Sequence, residues 1–305
     1  MAYRLPDDSF FLGFDSSTQS LKATVLDANL NIVDSEAVHF DSQLPHYKTQ
    51  DGVYRDISNN SRIVSPTLMW VEALDLILEK LKSKVKFGNV VAISGSGQQH
   101  GSVYWKKGAS ATLANLDHTK PLVTQLGSAF STAESPIWMD SSTTSQCREI
   151  ENAVGGALEL SKLTGSRAYE RFTGPQIRKL YETRKDVYND TERISLVSSF
   201  MASLLIGVYA SIDETDAAGM NLMDIKKRVW SKVVLELIDH NEPNQSGGPN
   251  VTKAGNLEGL LLYQQHQQMS YYSSLRKASK GSNWCFSCEE KLSSFEVRKG
   301  ADFKD

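Results

Sequence analysis

The 305-residue sequence holds only three cysteines, too few for a closed disulfide framework, and its formal net charge is only −3. A sparse, odd cysteine set fits a reducing compartment, where thiols stay free. So small a charge leaves no basic footprint for nucleic acid or for an anionic membrane surface. The opening residues, MAYRLPDD, carry no basic stretch leading into an apolar run. No secretory leader is read there, and a cytoplasmic location is expected. Long apolar runs are scarce too. Residues 194–212 are uncharged and nearly long enough to cross a bilayer, but serines and Gly207 interrupt them. That pattern predicts a buried strand-turn, or a core helix ending at Gly207, and no membrane role. No internal repeat is present.

What is there reads as an α/β chain. Hydrophobic residues make up 40% and charged residues 23%, enough for an ordinary core. Apolar runs at 10–14 and 21–26, then an Asp27-Ala28-Asn29 turn before 31–38, predict three successive antiparallel strands. Ser65-Pro66 reads as a helix start, and Leu68, Val71, Leu74, Leu78 and Leu81 then fall on one helical face. Val90-Val91-Ala92-Ile93 predicts a short buried strand feeding a glycine-serine loop. Pro136-Ile137-Trp138-Met139 is a further strand candidate, and 143–160 a helix with small residues in its middle. The order predicts a mixed sheet with flanking helices. Two regions are expected, a domain over 9–237 and a tail over 238–305. Asn241 to Asn250 is linker chemistry, and the tail is expected to be poorly structured, with at most one helix near Leu257 to Tyr272.

Four segments carry candidate chemistry. Asp15-Ser16-Ser17-Thr18, between two strands, can aim amide and hydroxyl donors at phosphate oxygens, with Asp15 placed to hold Mg²⁺ directly or through water. Taken alone it is equally a common hairpin connection. Gln98-Gln99-His100-Gly101 sits at the carboxyl end of a strand, where α/β sheets bind ligands, and its side chains suit several hydroxyl groups at once. A structural histidine in a loop fits the same residues. Trp138-Met139-Asp140-Ser141-Ser142 places an acid after a strand. Gly165 to Gly174 brackets Arg167, Arg171, Tyr169 and Phe172, a set able to clamp a polyhydroxy ligand, though Glu170 can equally pair with an arginine at the surface. Asp213 and Asp216 form a carboxylate pair with the same ambiguity. Cys285-Phe286-Ser287-Cys288 lacks the second ligand pair of a structural zinc site.

Taken together, and in this order, these strings resemble the eukaryotic xylulose kinases of the FGGY carbohydrate kinase family, in the actin-like ATPase superfamily. Leu163-Thr164-Gly165-Ser166-Arg167, Thr191-Glu192-Arg193-Ile194-Ser195-Leu196 and Gly219-Met220-Asn221-Leu222-Met223 carry it as well, and the resemblance covers roughly 9–237. It implies an actin-like, ribonuclease H-like N-terminal domain and ATP-dependent phosphorylation of D-xylulose to xylulose 5-phosphate, with Mg²⁺. It further implies that Gln99, His100, Arg171 and Asp140 face the sugar, and that Asp15, Ser17 and Thr18 face Mg²⁺ and phosphate. Ser17 stands where the superfamily hairpin often has glycine. The family's general base is an aspartate in a Gly-Asp-Asn string that opens a second domain, and no such string occurs in these 305 residues. No catalytic residue is therefore assigned, the second domain is read as absent, and little turnover is expected from the chain alone. A non-catalytic sugar-binding or regulatory fragment is the alternative.

Overall fold

The computed structural model describes residues 6–58, 61–239, 257–258 and 283–287. Strands β1 (Phe10–Ser16), β2 (Ser20–Leu26) and β3 (Ile32–His39) form the expected antiparallel meander, with Asp15 opposite Lys22 and Val38 opposite Leu21. Along β1 the side chains of Leu12 and Phe14 go inward, as period-two alternation requires. The turn between β2 and β3 is closed by Asp27, whose Oδ1 accepts from the amides of Asn29 and Asn31 at 2.8 and 2.9 Å.

A short helix, α1 (Phe40–Gln43), and two small strands, β4 (Tyr54–Arg55) and β5 (Ile63–Pro66), lead into α2 (Thr67–Lys82). The predicted apolar face of α2 is present and wider than its leucines, since Met69, Trp70, Ala73 and Ile77 are buried too. Ser65-Pro66 is not its capped start. Both residues belong to β5, Ser65 pairs with Ser135, and its hydroxyl donates to the Gly52 carbonyl at 2.9 Å. Sheet pairing has taken the residues that local propensity assigned to a cap.

Strand β6 (Val90–Gly97) runs parallel to β1 and places Gly97 opposite Ser16. The glycine-serine stretch expected as a loop is therefore strand to its last residue. Gly97 explains why: a Cβ there would lie 2.5 Å from the Ser198 amide nitrogen, so only glycine lets the strand reach that far. Next come β7 (Ser102–Lys106), α3 (Ala109–Ala114), α4 (Leu122–Gln125) and β8 (Glu134–Pro136). The strand expected over 136–139 ends at Pro136, and Asp140 donates its amide to the Ile137 carbonyl in a turn. The helix expected over 143–160 is two helices, α5 (Thr144–Ala153) and α6 (Ala157–Thr164), broken at Gly155 and Gly156.

The remainder is α7 (Thr173–Thr183), α8 (Lys185–Asp190), β9 (Thr191–Leu196), α9 (Val197–Ile206), β10 (Ile212–Asp213), α10 (Glu214–Ala218), β11 (Met223–Asp224), β12 (Val229–Trp230) and α11 (Lys232–Asp239). The uncharged 194–212 run thus divides into the end of β9, the buried α9 and its continuation, with Gly207 in the left-handed conformation closing the helix. Among the described residues no helix is long and apolar enough to cross a membrane.

In the tail, β13 (Leu257–Glu258) pairs with β10, and β14 (Asn283–Ser287) pairs antiparallel with β6 at the edge of the main sheet, whose order is β14-β6-β1-β2-β3. No strand was expected in this region. Leu257–Glu258 is strand where a helix was expected to begin, and the rest of that helix lies outside the described residues. Two cores result. One joins the sheet to α2 and α9 around Trp70, Trp105 and Phe200; the other gathers Tyr104, Cys147, Ile150, Ile177, Ile194, Leu222 and Val234. Neighbours Tyr104 and Trp105 on β7 face one core each, which ties the two together.

Candidate active site

The carboxyl ends of β1 and β6 bring two of the singled-out segments side by side, because the Gln98 amide donates to the Ser16 carbonyl at 2.8 Å. Asp15 ends up half-exposed, 3.7 Å from the Lys22 ammonium. The turn beyond it separates its two hydroxyl residues by role. Ser17 Oγ donates to the Ser20 carbonyl at 2.9 Å and so closes the turn on itself. Thr18 Oγ1 instead accepts from the Trp138 indole at 2.9 Å, which leaves its own proton free to donate outward. Behind this turn Gly52, at φ +75°, lies so close that a Cβ would fall 2.1 Å from the Thr18 carbonyl oxygen. Gly52 therefore fixes the height of the hairpin.

The hairpin's side chains bear on magnesium and phosphate. Among the described residues no three His, Cys, Asp or Glu side chains gather as a metal cage. One accessible carboxylate beside a hydroxyl donor does match how Mg²⁺ is held, by one or two carboxylates with waters and substrate phosphates supplying the rest. The residues fit such a group.

His100 follows at the turn after β6 and adopts φ +66°, an uncommon backbone conformation for a residue with a side chain. Its ring stacks on Phe172 at 4.7 Å between centroids, and Nδ1 lies 3.1 Å from the Gly219 carbonyl oxygen. Three segments far apart in sequence thereby converge on one imidazole. Burial lowers the His100 pKa from its ordinary value; the Gly219 bond works against that shift and the nearby Arg171 charge adds to it. Gln99 is exposed beside it.

The loop between α6 and α7 uses its two arginines differently. Arg167 binds the buried Glu151 carboxylate, with Nε 3.1 Å from Oε1, and Glu151 also accepts from the Ala168 amide at 3.2 Å. Although burial opposes it, the bonds from Arg167 and Arg148 hold the Glu151 carboxyl below the usual range. Arg171 is exposed, and among the described residues no acid pairs with it. Among the described residues Glu170 pairs with no arginine either; its carboxylate accepts from Thr144 Oγ1 at 3.1 Å. Arg171 is thus the loop's available cation.

Asp140 lies behind this loop, only 2% exposed. Its oxygens accept from the amides of Ile63 and Ser142 at 3.0 Å each, from Ser142 Oγ at 2.5 Å and from Gln176 Nε2 at 2.7 Å. Gln176 Nε2 also lies 3.0 Å from the Glu170 carbonyl, so Asp140 braces the backbone immediately before Arg171. Gln176, Glu151 and Asn221 escaped the sequence reading. Asn221, buried with φ +57°, directs its amide at Thr164, Ser166 and Arg167 and holds the start of the same loop. Its place in the Gly-Met-Asn-Leu-Met string was the available signal.

The Asp15–Thr18 hairpin thus stands at the end of the mixed sheet, joined through the Gln98 amide to the segment that carries His100, and His100 in turn packs on the Arg171 loop at Phe172. Residues 132–271 match the N-terminal domain of the FGGY family of carbohydrate kinases. In sequence it is similar to xylulose kinase 2 of Arabidopsis thaliana, 74% identical over 233 residues that cover 76% of this chain and 42% of that protein. Mouse xylulose kinase is 53% identical over 239 residues, 78% of this chain and 43% of the relative. The chain therefore spans well under half the length of these relatives. Among solved structures, the ligand-bound xylulose kinase from Lactobacillus acidophilus superposes with a TM-score of 0.60 at 17% identity, over 82% of this chain and 42% of that one. Glycerol kinase from Plasmodium falciparum gives 0.59 at 17% identity, over 88% and 46%. These structural matches speak for the fold.

Proposed function

We propose that these residues form the sugar-binding half of a xylulokinase, which transfers the γ-phosphoryl group of ATP to the terminal hydroxyl of D-xylulose. The observation that carries the reading is the convergence of the Asp15–Thr18 hairpin, His100 and the Arg171 loop on one edge of the fold, in a chain so similar to xylulose kinases. Gln99, His100 and Arg171 contact the sugar hydroxyls. Asp140 serves the same subsite from behind, by bracing the Arg171 backbone through Gln176. Asp15 holds Mg²⁺ directly or through water, and Thr18 donates to a phosphate oxygen; Ser17 shapes the turn. When bound, Mg²⁺ neutralises charge on the transferring phosphoryl group.

Transfer requires the new oxygen–phosphorus bond to form while the bond to the ADP oxygen breaks, and a base must take the hydroxyl proton. No Gly-Asp-Asn string is present to supply that base. Positioning from one side of a cleft leaves most of the barrier in place. These 305 residues by themselves therefore bind D-xylulose and turn it over slowly if at all, as a sugar-binding fragment. An ADP-release assay with D-xylulose, ATP and Mg²⁺, run beside thermal melting with the sugar alone, tests this. The expected result is a raised melting temperature, absent in His100→Ala, with little ADP. Rapid turnover abolished by His100→Ala would sink the fragment reading, and no thermal shift would sink the sugar site.

A further inference from the structure

The Asp213/Asp216 pair has no part in the reading above, yet its turn touches the imidazole at the centre of the site. Asp213 caps the short α10 by accepting from the Thr215 amide at 2.8 Å. Asp216 Oδ2 accepts from Ser198 Oγ at 2.5 Å, which fastens the turn to the start of α9. The Asp216 carbonyl then accepts from the Gly219 amide at 2.9 Å, and the Gly219 carbonyl faces His100 Nδ1 at 3.1 Å. The route from α9 to the imidazole is thus an unbroken series of hydrogen bonds.

A carbonyl oxygen only accepts, so His100 Nδ1 must carry the proton of that bond. In a neutral ring Nε2 then has a lone pair and no hydrogen. Gly219 adds a steric condition. Its backbone, φ −86° and ψ 11°, is one that any residue adopts. A Cβ built there would nevertheless lie 3.1 Å from His100 Cε1 and 3.3 Å from Nδ1. What glycine supplies here is room for the ring. Phe172 holds the imidazole face at 4.7 Å, so the ring cannot move aside freely.

We infer that the 213–219 turn is a positioning element that fixes His100 as the Nδ1–H tautomer, so that Nε2 accepts a hydrogen bond from a hydroxyl of the bound sugar. Asp216 and Ser198 act through Gly219, and Gly219 acts on the ring. The ligand half of this inference rests on the sugar-binding reading; the tautomer does not. The groups around the ring are consistent with a neutral state: Arg171 is a cation nearby, and burial disfavours the charged form.

The test uses the 305-residue chain labelled with ¹⁵N-histidine and two-bond ¹H–¹⁵N correlation spectra at neutral pH. It holds six histidines, and His100 is assigned by the signals lost in His100→Gln. The expected pattern is a protonated Nδ1 and an unprotonated Nε2 in the ligand-free chain. D-xylulose should then move the Nε2 resonance. A protonated Nε2 as the main form would overturn the inference, as would binding that leaves Nε2 unmoved. Gly219→Ala should shift the His100 signals and weaken D-xylulose binding roughly tenfold, the worth of one good hydrogen bond. Asp216→Ala, which spares the ring its clash, should mix the two tautomers, whereas Asp216→Asn keeps an acceptor for Ser198 and should restore the wild-type pattern. Unchanged His100 signals in both Gly219→Ala and Asp216→Ala would remove the turn from the site. Loss of D-xylulose binding with the tautomer intact would count against the sugar reading instead.

Discussion

The two sides of the site are built by different physics. The hairpin bearing Asp15 and Thr18 stands on the end of a sheet whose inner face packs on one aromatic cluster. Trp105 and Phe200 lie 5.3 Å apart there, and Trp70 and Phe130 lie 6.3 and 5.9 Å from Phe200. The Arg171 loop instead links two helices, α6 and α7. Hydrogen bonds hold its backbone in place: the Ala168 amide donates to Glu151, and Gln176, itself fixed by Asp140, and Asn221 donate to the Glu170 and Arg167 carbonyls. Non-directional packing positions the first side, and directional polar bonds position the second. Damage to the first should spread through the molecule; damage to the second should stay local.

Phe200→Ala is the strongest test of that contrast. Its ring is fully buried in the first core, and removing it should cost about 3–5 kcal/mol through lost transfer energy and a cavity. Urea denaturation should show the midpoint falling steeply, with hydrogen exchange rising in β1, β6 and α2 together. A loss confined to α9 would mean the sheet side is not one cooperative unit.

Asp140→Ala should have a smaller and more selective effect. It leaves Ile63 N and Gln176 without their acceptor, and buried donors left unpaired cost about 1–3 kcal/mol each unless water replaces the partner. The expected loss is about 2–3 kcal/mol, because Ser142 can turn to water. Hydrogen exchange should accelerate at 168–172 while β1 stays protected. Equal acceleration in β1 would break the comparison.

This contrast also explains what the sequence disclosed. The meander, the apolar face of α2 and the Gly207 stop were legible because each is a local pattern, an alternation, a helical stripe or a left-handed cap. Asp15, Gln99 and His100 stood out because they lie at or just past strand ends. The brace behind Arg171 was not legible from pattern. Asp140 and Gln176 are separated by 36 residues and Asn221 and Arg167 by 54, and no periodicity announces a bond across such gaps. Ser65-Pro66 misled for a related reason. A good cap signal lost to pairing with β8, which lies some 70 residues away and is invisible locally. Resemblance to a family supplied the expected site residues, and only the fold showed that Arg167 is committed to Glu151 while Arg171 is not.

The smallest expected effect concerns His100, where the two sides meet. Its folded-state pKa is depressed below the ordinary 6.5, first by burial and then by Arg171, with the Gly219 bond opposing. Between the two pKa values the unfolded chain binds more protons than the folded one, so stability must rise with pH across that window. The contribution is therefore fully present above pH 6.5 and is lost as pH falls through the depressed folded value. Replacing His100 by glutamine removes the titration but keeps a donor for the Gly219 carbonyl. Stability curves of the wild type and His100→Gln, measured by urea from pH 7.5 to 5, should converge as the pH drops. Parallel curves would show that the ring is as easily charged in the fold as in the open chain, and that burial beside Phe172 does not govern it.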